Sequence, residues 1–421
     1  MRPNHISFFL LFIITSFCYS QDVCPPSYDP PGGLAVNKVP MFIAIGWDDN
    51  QYVDGMNWIV DFLKDRKNPP GIGNAATYDG TPVLNTFFMK GLVDAADPAE
   101  DVYVTWKKAY DNGHEIGNHT WQHVAIDPEN EIRRCDSTLE YIGIPASEVN
   151  GFRTPQLALV LSVFDAVYDR GFLYDCTVEH HKQTPEGQYI WPYTLENGWH
   201  SSSFGALTKS YPGLWEMPVH QFTDGSTGFD YNAWTGGASG SGFYNTLKSS
   251  LDFHLSTNRC PFFIGTHTDY YATTNTYFES ITSSTCSSRR KAITDFIEYA
   301  LSIPDVRIVR FDDVIKWMKN PVALDDITYV EDIAIKNGVT TISINILPES
   351  RITLKIPEDG SYTVSIFSVS GRKINTLTQQ FFSAGSHTIS YNTKSVASGI
   401  YIFQIQGING RNAVCSFLAG N

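Results

Sequence analysis

The sequence predicts an α/β, barrel-like domain followed by a small all-β sandwich. Two textures carry that prediction. Between residues 39 and 318, short apolar runs alternate with amphipathic stretches, giving seven or eight β/α units. From residue 340 onward the helix signal stops, and about seven short alternating stretches follow between Gly, Pro and Asn turns. At 421 residues the chain also exceeds what one hydrophobic core usually organises.

The elements follow in order. Residues 1–20 read as a secretory leader: Arg2 without an acid, the apolar run FFLLFIITSF, and small Ser20, after which cleavage is expected. MFIAIGW (41–47) is a strand and NWIVDFLKD (57–65) a helix; VLNTFFM (83–89) is a strand, followed by the helix AEDVYVTWKKAYDNG. HEIGNHT, VNGFRTP, FLYDCTV, LWEMPVHQF, PFFIGTHT and VRIVRF read as further strands. ENEIRRCDSTLEYIG, LVLSVFDAVYDRG, YNTLKSSLDFHL and RKAITDFIEYAL read as helices. Residues 179–214, rich in Trp, Tyr, Gly and Pro, are expected to form an elaborated loop over one face. The resulting division is a leader at 1–20, a catalytic domain at 21–320, a linker at 321–339 and a sandwich at 340–421.

Composition excludes some partners. With 42% hydrophobic and 18% charged residues the chain is an ordinary globular one. Its net charge of -14 becomes one unit more negative when Arg2 leaves with the leader. Such a surface repels phosphate backbones, so nucleic acid is not an expected partner, whereas a neutral or cationic polymer is compatible with it. No segment after the leader is long and apolar enough to span a bilayer. Without Cys18, six cysteines remain and none forms a C-x-x-C pair. Disulfides are therefore expected rather than a thiolate metal site, with Cys260–Cys286 the preferred bridge.

Parallel-strand barrels gather functional groups at the C-terminal ends of their strands, and five predicted strands here end in polar residues. These are Asp48-Asp49, His119, Arg153, Asp175 and His267. A bare H-x-x-x-H such as His119 and His123 is more often a pair of surface histidines than a metal site. On a helical turn, however, both imidazoles share a face, and Asp49 from another strand end completes a His-His-Asp set with an open position, the composition of a catalytic zinc site. Asp48 is then free to act as general base on the attacking water, and His267 can protonate the leaving nitrogen.

These residues resemble carbohydrate esterase family 4, the polysaccharide deacetylases, over roughly residues 38–320. W-D-D at 47–49 stands where that family has F-D-D; H-T-W-Q-H at 119–123, R-T-P at 153–155 and G-T-H at 265–267 fit its later motifs in order. The resemblance implies a distorted (β/α) barrel and one divalent ion, zinc by preference, on Asp49, His119 and His123. It makes Asp48 the base, His267 the acid, Arg153 the group that orients Asp48, and Asp175 the acid that supports His267. A backbone N–H near Gln156, which stands where the family usually has an aromatic, would help hold the carbonyl oxygen. F-L-Y-D, W-P-Y-T, W-E-M and I-K-W-M-K-N-P are similar to the animal-type chitin deacetylases, which adds Trp191 and Trp215 as expected substrate contacts and makes chitin-like chains the leading substrate.

The C-terminal stretches Y-T-V-S-I-F-S-V-S-G-R, A-G-S-H-T-I-S-Y and S-G-I-Y-I-F-Q-I resemble the immunoglobulin-like sorting domains read by type IX secretion. That implies export to the surface or medium through outer-membrane machinery, with a spacer or interaction module as the alternative. Three other readings of the first domain compete with chitin deacetylation. An O-acetyl xylan esterase and a peptidoglycan deacetylase would use the same groups. A carbohydrate-binding pseudoenzyme would have no need of a free base beside a metal ligand.

Overall fold

The computed structural model describes residues 23–325 except 182–186, 202–204, 208, 274 and 276–281, and residues 343–419 except 348–350, 357, 369–371, 391–398 and 408–411. The expected leader and most of the expected linker lie outside the described residues. In the first domain, β1 (Met41–Asp48), α1 (Val53–Leu63), β2 (Thr86–Met89), α2 (Ala99–Asp111), β3 (Glu115–Asn118) and α3 (Pro128–Tyr141) alternate as the sequence predicts. They continue through β4 (Gly151–Phe152), α4 (Leu161–Arg170) and β5 (Tyr174–Asp175). Four short strands follow: β6 (Glu179–His180), β7 (Tyr193–Leu195), β8 (Trp199–Ser201) and β9 (Gly205–Leu207). The domain ends with β10 (Tyr211–Glu216), β11 (Val219–His220), α5 (Asp230–Thr235), α6 (Gly240–Ser256), β12 (Phe262–His267), α7 (Ser283–Leu301), β13 (Val306–Ile308) and α8 (Phe311–Lys319).

Nine strands form one sheet in the order β12-β1-β2-β3-β4-β5-β10-β7, with β13 also on β1. All its pairings are parallel except β7 on β10. The sheet curls into a barrel whose wall is not hydrogen-bonded as a continuous ladder between β10 and β12. There the β6–β11 pair and a single bridge from Phe229 to Gly265 stand in. This is the distorted barrel that the resemblance implied.

Strand alternation sorts the side chains. Along β1, Phe42 and Ala44 face a barrel interior shared with Phe88, Tyr174, Phe263 and Phe311, while Ile43, Ile45 and Trp47 face the helices. The same period carries Asp48 to the interior side, at the barrel mouth. The described part of residues 179–214 does more than lie over one face as a loop: it forms β6 to β9 and sends side chains inward. Tyr189, Trp191 and Trp215 enter the barrel interior, where Trp191 stacks on Trp317 with ring centroids 6.2 Å apart. The two expected substrate-contacting tryptophans are therefore core residues, because their rings fill the barrel and not its mouth.

Among its described residues, the C-terminal part holds seven strands: β14 (Ser343–Leu347), β15 (Arg351–Ile356), β16 (Gly360–Ser368), β17 (Lys373–Phe382), β18 (Gly385–Ser390), β19 (Gly399–Gly407) and β20 (Asn412–Ala419). They form two antiparallel sheets, β14-β15-β18 and β17-β16-β19-β20. Alternate residues Ile352, Leu354, Ile356, Val364, Ile366, Phe403 and Ile405 are buried together between them, the pattern of a sandwich.

The expected Cys260–Cys286 bridge does not form, and Cys24, Cys135 and Cys176 are free as well. Cys260 precedes β12 and donates to the Ile190 carbonyl at 2.9 Å; Cys286 opens α7 beyond the other end of β12 and donates to Tyr271 at 3.0 Å. A six-residue strand runs between them, about 20 Å at the usual rise per residue, and a disulfide needs Cα atoms within about 7 Å. A thiol reductant should accordingly leave the thermal unfolding midpoint of the mature chain unchanged; a midpoint that drops would mean that a disulfide does hold the fold.

Candidate active site at the barrel mouth

β1 delivers two adjacent carboxylates to one cavity because its end breaks the strand alternation. Asp49 and Asn50 both turn left-handed, with φ of 64° each, so Asp49 swings back toward the side that Asp48 already faces. Buried Asn50 holds the turn: its side-chain amide donates to the Trp47 carbonyl at 2.8 Å and the Phe88 carbonyl at 3.1 Å, and Trp106 donates to its backbone oxygen at 2.7 Å.

His119 and His123 come from the segment that follows β3. It is not the helical turn expected for H-x-x-x-H but an irregular loop, left-handed at Thr120 and His123. Glu131 shapes it by accepting the Trp121 and Gln122 N–H groups, and Thr120 Oγ1 accepts Val124 N–H. The imidazole centroids are 5.0 Å apart, and one donor atom from each of Asp49, His119 and His123 lies within 4.8 Å of the others. His119 Nδ1 donates to the Arg153 carbonyl at 2.8 Å, which leaves Nε2 bare toward Asp49 Oδ1 at 3.8 Å. Burial pushes the His119 pKa down to about 4, so the ring is neutral, as a ligand must be. Burial works to raise Asp49, but His123, His119, His267 and Lys90 around it hold it below the usual carboxylate range. Its Oδ1 is buried without a hydrogen-bond donor among the described residues. An orphaned carboxylate oxygen facing two imidazoles is a donor set that fits a divalent cation.

Asp48 stands beside this set. Its Oδ1 accepts from Arg153 Nη1 at 2.7 Å, and its Oδ2 lies 3.9 Å from His119 Nε2. Arg153 is buried in the barrel, its guanidinium 4.4 Å from the Phe88 ring centroid and 5.0 Å from that of Phe229. Gly46 makes room for it, since a Cβ there would meet Nη1 at 2.8 Å.

His267 is the register partner of Asp48 across the parallel β1–β12 pair, so the two groups line the same mouth. Its Nδ1 bonds Asp230 Oδ1 at 2.8 Å, leaving Nε2 for the cavity. Asp230 is itself fixed by Thr266 Oγ1 at 2.8 Å and Trp234 Nε1 at 3.3 Å. Burial would depress the His267 pKa, but the Asp230 carboxylate outweighs it and holds the ring up to about 9. One histidine at the mouth is thus kept neutral and another cationic.

A cavity of about 560 Å³ is lined by Asp48, Asp49, His119, His123, Gln156 and His267 among others. Asp175 is the sequence-predicted residue that does not reach its expected partner. It accepts from Thr177, and the acid on His267 is Asp230. Asp230 is reachable because the seam between β10 and β12 admits residues 228–229 against β12: Gly265 N–H donates to the Gly228 carbonyl at 2.8 Å, and a Cβ on Gly265 would strike the Phe229 ring at 2.2 Å. A lone acid opening a short helix carries no distinctive spacing, so sequence reading passed over it. It also passed over Asp269, which lines the cavity, accepts Gln51 N–H at 2.8 Å, and is raised to about 8 by burial and by Asp49.

His119→Ala should lower zinc retained by the purified chain after dialysis, whereas unchanged zinc content would remove this residue from the donor set. Asp230→Asn should bring the His267 pKa, followed by ring-proton NMR in the metal-free protein, down from about 9, because burial is then opposed only by the more weakly acting Asp49 and Asp48. A value that stays near 9 would mean that Asp230 is not what charges the ring.

With this geometry in place, comparison with known proteins gives two separate likenesses. The family described as the secretion system C-terminal sorting domain matches residues 337–414. The chain is 24% identical to chitin deacetylase 8 of Bombyx mori over 328 residues, 73% of this chain and 78% of that protein. It is 24% identical to chitin deacetylase 1 of the same organism over 320 residues, 69% of this chain and 53% of that protein, so it spans about half the length of this second relative. The solved chitin deacetylase from the fungal pathogen Colletotrichum lindemuthianum aligns with a TM-score of 0.36 and 13% identity, over 66% of this chain and 89% of that one. By sequence, then, the chain is similar to chitin deacetylases through most of its length and to secretion sorting domains near its end.

Proposed function

We propose that this chain hydrolyses N-acetyl groups on an N-acetylglucosamine polysaccharide, with chitin and chitooligosaccharides as its substrates, and releases acetate. The observation that supports this most is one cavity carrying a His-His-Asp donor set, a carboxylate held by a guanidinium, and an imidazole held by a carboxylate. Asp49, His119 and His123 would hold a divalent ion, zinc by its ligand types. When bound, such an ion supplies a Lewis acid that polarises the acetyl carbonyl and the attacking water. Asp48, tied through Oδ1 to Arg153, offers Oδ2 to take the proton of that water as the new C–O bond forms. His267, cationic at neutral pH, gives its proton to the amide nitrogen as the C–N bond breaks, leaving acetate and a free amine. Gln156, left-handed at the start of a tight turn on the cavity wall, presents its N–H to the carbonyl oxygen.

The names of the Bombyx relatives support chitin over xylan or peptidoglycan. In this reading residues 21–320 are the catalytic domain, 321–339 a linker, and 340–421 a sorting domain that brings the enzyme to the cell surface or medium, a role supported by the family match. Among the described residues, no helix is long and apolar enough to cross a membrane.

Acetate release from chitin oligosaccharides by the mature chain tests the proposal, with chelator and then added zinc. Release that chelator abolishes and zinc restores is the expected outcome. Release only from acetylxylan or peptidoglycan would overturn the substrate, and silence on all three with zinc bound would overturn the reaction. Asp48→Asn should retain zinc and lose about 10²–10⁴-fold in kcat; lost zinc would mean that the two aspartates exchange roles.

A further inference from the structure

Arg153 lies between two sets of acids, and the reaction proposed above uses only one. Behind the guanidinium, β5 and β10 end side by side with Asp175 and Glu216 in register, both fully buried. The two Asp175 oxygens accept the Thr177 N–H and Oγ1, each at 2.9 Å. Glu216 Oε1 accepts Val178 N–H at 3.2 Å, and its Oε2 has no donor among the described residues. The two buried carboxyl groups thus sit side by side, in register on paired strands and accepting from the consecutive N–H groups of Thr177 and Val178. A carboxylate offers only acceptors, so two facing carboxyl groups bond only when a proton lies between them. Asp48, Asp175 and Glu216 together would also set three negative charges against one buried guanidinium, and excess buried charge is strongly disfavoured. Burial accordingly raises Asp175 to about 6 and Glu216 well above the usual carboxylate range.

We propose that Asp175 and Glu216 hold one proton between them and act as a unit of positioning residues that sets Arg153 against Asp48. The path is short. The pair pins backbone 175–178 through Thr177 and Val178. That segment gives Arg153 its second anchor, the Cys176 carbonyl accepting Nε at 3.2 Å, and its Thr177 Oγ1 accepts Thr154 N–H at 2.9 Å. Singly protonated, the pair carries one negative charge and leaves Arg153 shared with Asp48. An apolar residue at 216 would release the segment, and a second negative charge would draw the guanidinium away from the base.

The catalytic part of this inference rests on Asp48 being the base, so the test carries arms that do not need turnover. The full mature chain, Glu216→Gln and Glu216→Leu are compared. Glutamine keeps an acceptor for Val178 and donates its amide to Asp175, replacing the shared proton; leucine keeps the bulk and neither bond. Infrared difference spectra of parent against Glu216→Gln should show the loss of one protonated-carboxyl band at neutral pH, and its absence would refute the shared proton. Crystal structures should keep the 2.7 Å Arg153–Asp48 contact in Glu216→Gln and lose it in Glu216→Leu; a contact intact in the leucine variant would refute the positioning role. Where the parent releases acetate, Glu216→Leu should lower kcat by about 10- to 100-fold with KM and zinc content unchanged, and glutamine should restore most of it. A glutamine variant as slow as the leucine one would overturn the proposal. A parent that releases no acetate would refute the proposed reaction alone, since the spectra and the contact distance still decide the pair.

Discussion

The mouth of this barrel depends on a guanidinium buried where no water can solvate it. Arg153 reaches across the interior from β4 to β1, which only a glycine at position 46 permits. A cation so placed must be compensated by charge and by hydrogen bonds, and each compensating group is a piece of the site. Asp48 supplies the charge, the Cys176 carbonyl takes Nε, and the faces of Phe88, Phe229 and Phe311 supply the remaining electrostatic attraction. Arg153 also lends its own carbonyl to His119 Nδ1, so one residue fixes the base by its side chain and the tautomer of a metal-facing histidine by its backbone.

The strand order explains why these groups meet. Reading round the mouth, β12, β1, β3, β4, β5 and β10 end in, or just before, His267, Asp48 and Asp49, His119, Arg153, Asp175 and Glu216. Parallel pairing puts all these ends on one side of the molecule. Left-handed residues then aim what the strands deliver: Asp49, Asn50, Thr120, His123 and Gln156 all adopt positive φ within this rim. Backbone conformations that L-residues avoid are concentrated where side chains must leave the directions that strand geometry would give them.

That division marks what could be read from the sequence. The β/α alternation, the seven-stranded C-terminal sandwich and the placement of Asp48, Asp49, His119, His123, Arg153 and His267 at one rim were legible, because apolar periodicity and strand ends are local properties. What needed the fold were contacts across it. Asp175 sits at a strand end like the others, yet nothing in the chain tells that β5 lies five places from β12 along the sheet, on the far side of Arg153. Trp191 and Trp215 carry the composition of sugar-binding residues, but only the path of residues 187–192 into the barrel and the pairing of β10 with β5 decide that they are core. Cys260 and Cys286 flank one strand at opposite ends, a separation that spacing in sequence does not reveal.

The open seam between β10 and β12 has a chemical consequence. A closed ladder would fill that edge with strand backbone and deprive His267 of its bonded acid, leaving burial opposed only by Asp49 and Asp48 across the mouth. The seam instead lets Phe229 and Asp230 lie against β12, so a carboxylate with no exposure reaches Nδ1 and the ring stays charged. Two imidazoles at one mouth thus sit on opposite sides of neutrality for reasons visible in the topology: His119 faces a carbonyl from a paired strand, and His267 faces an acid admitted through a missing one. A site that needs a bare nitrogen lone pair and a transferable proton within the same cavity takes the first from the paired strands β3 and β4 and the second from the seam where the barrel does not close.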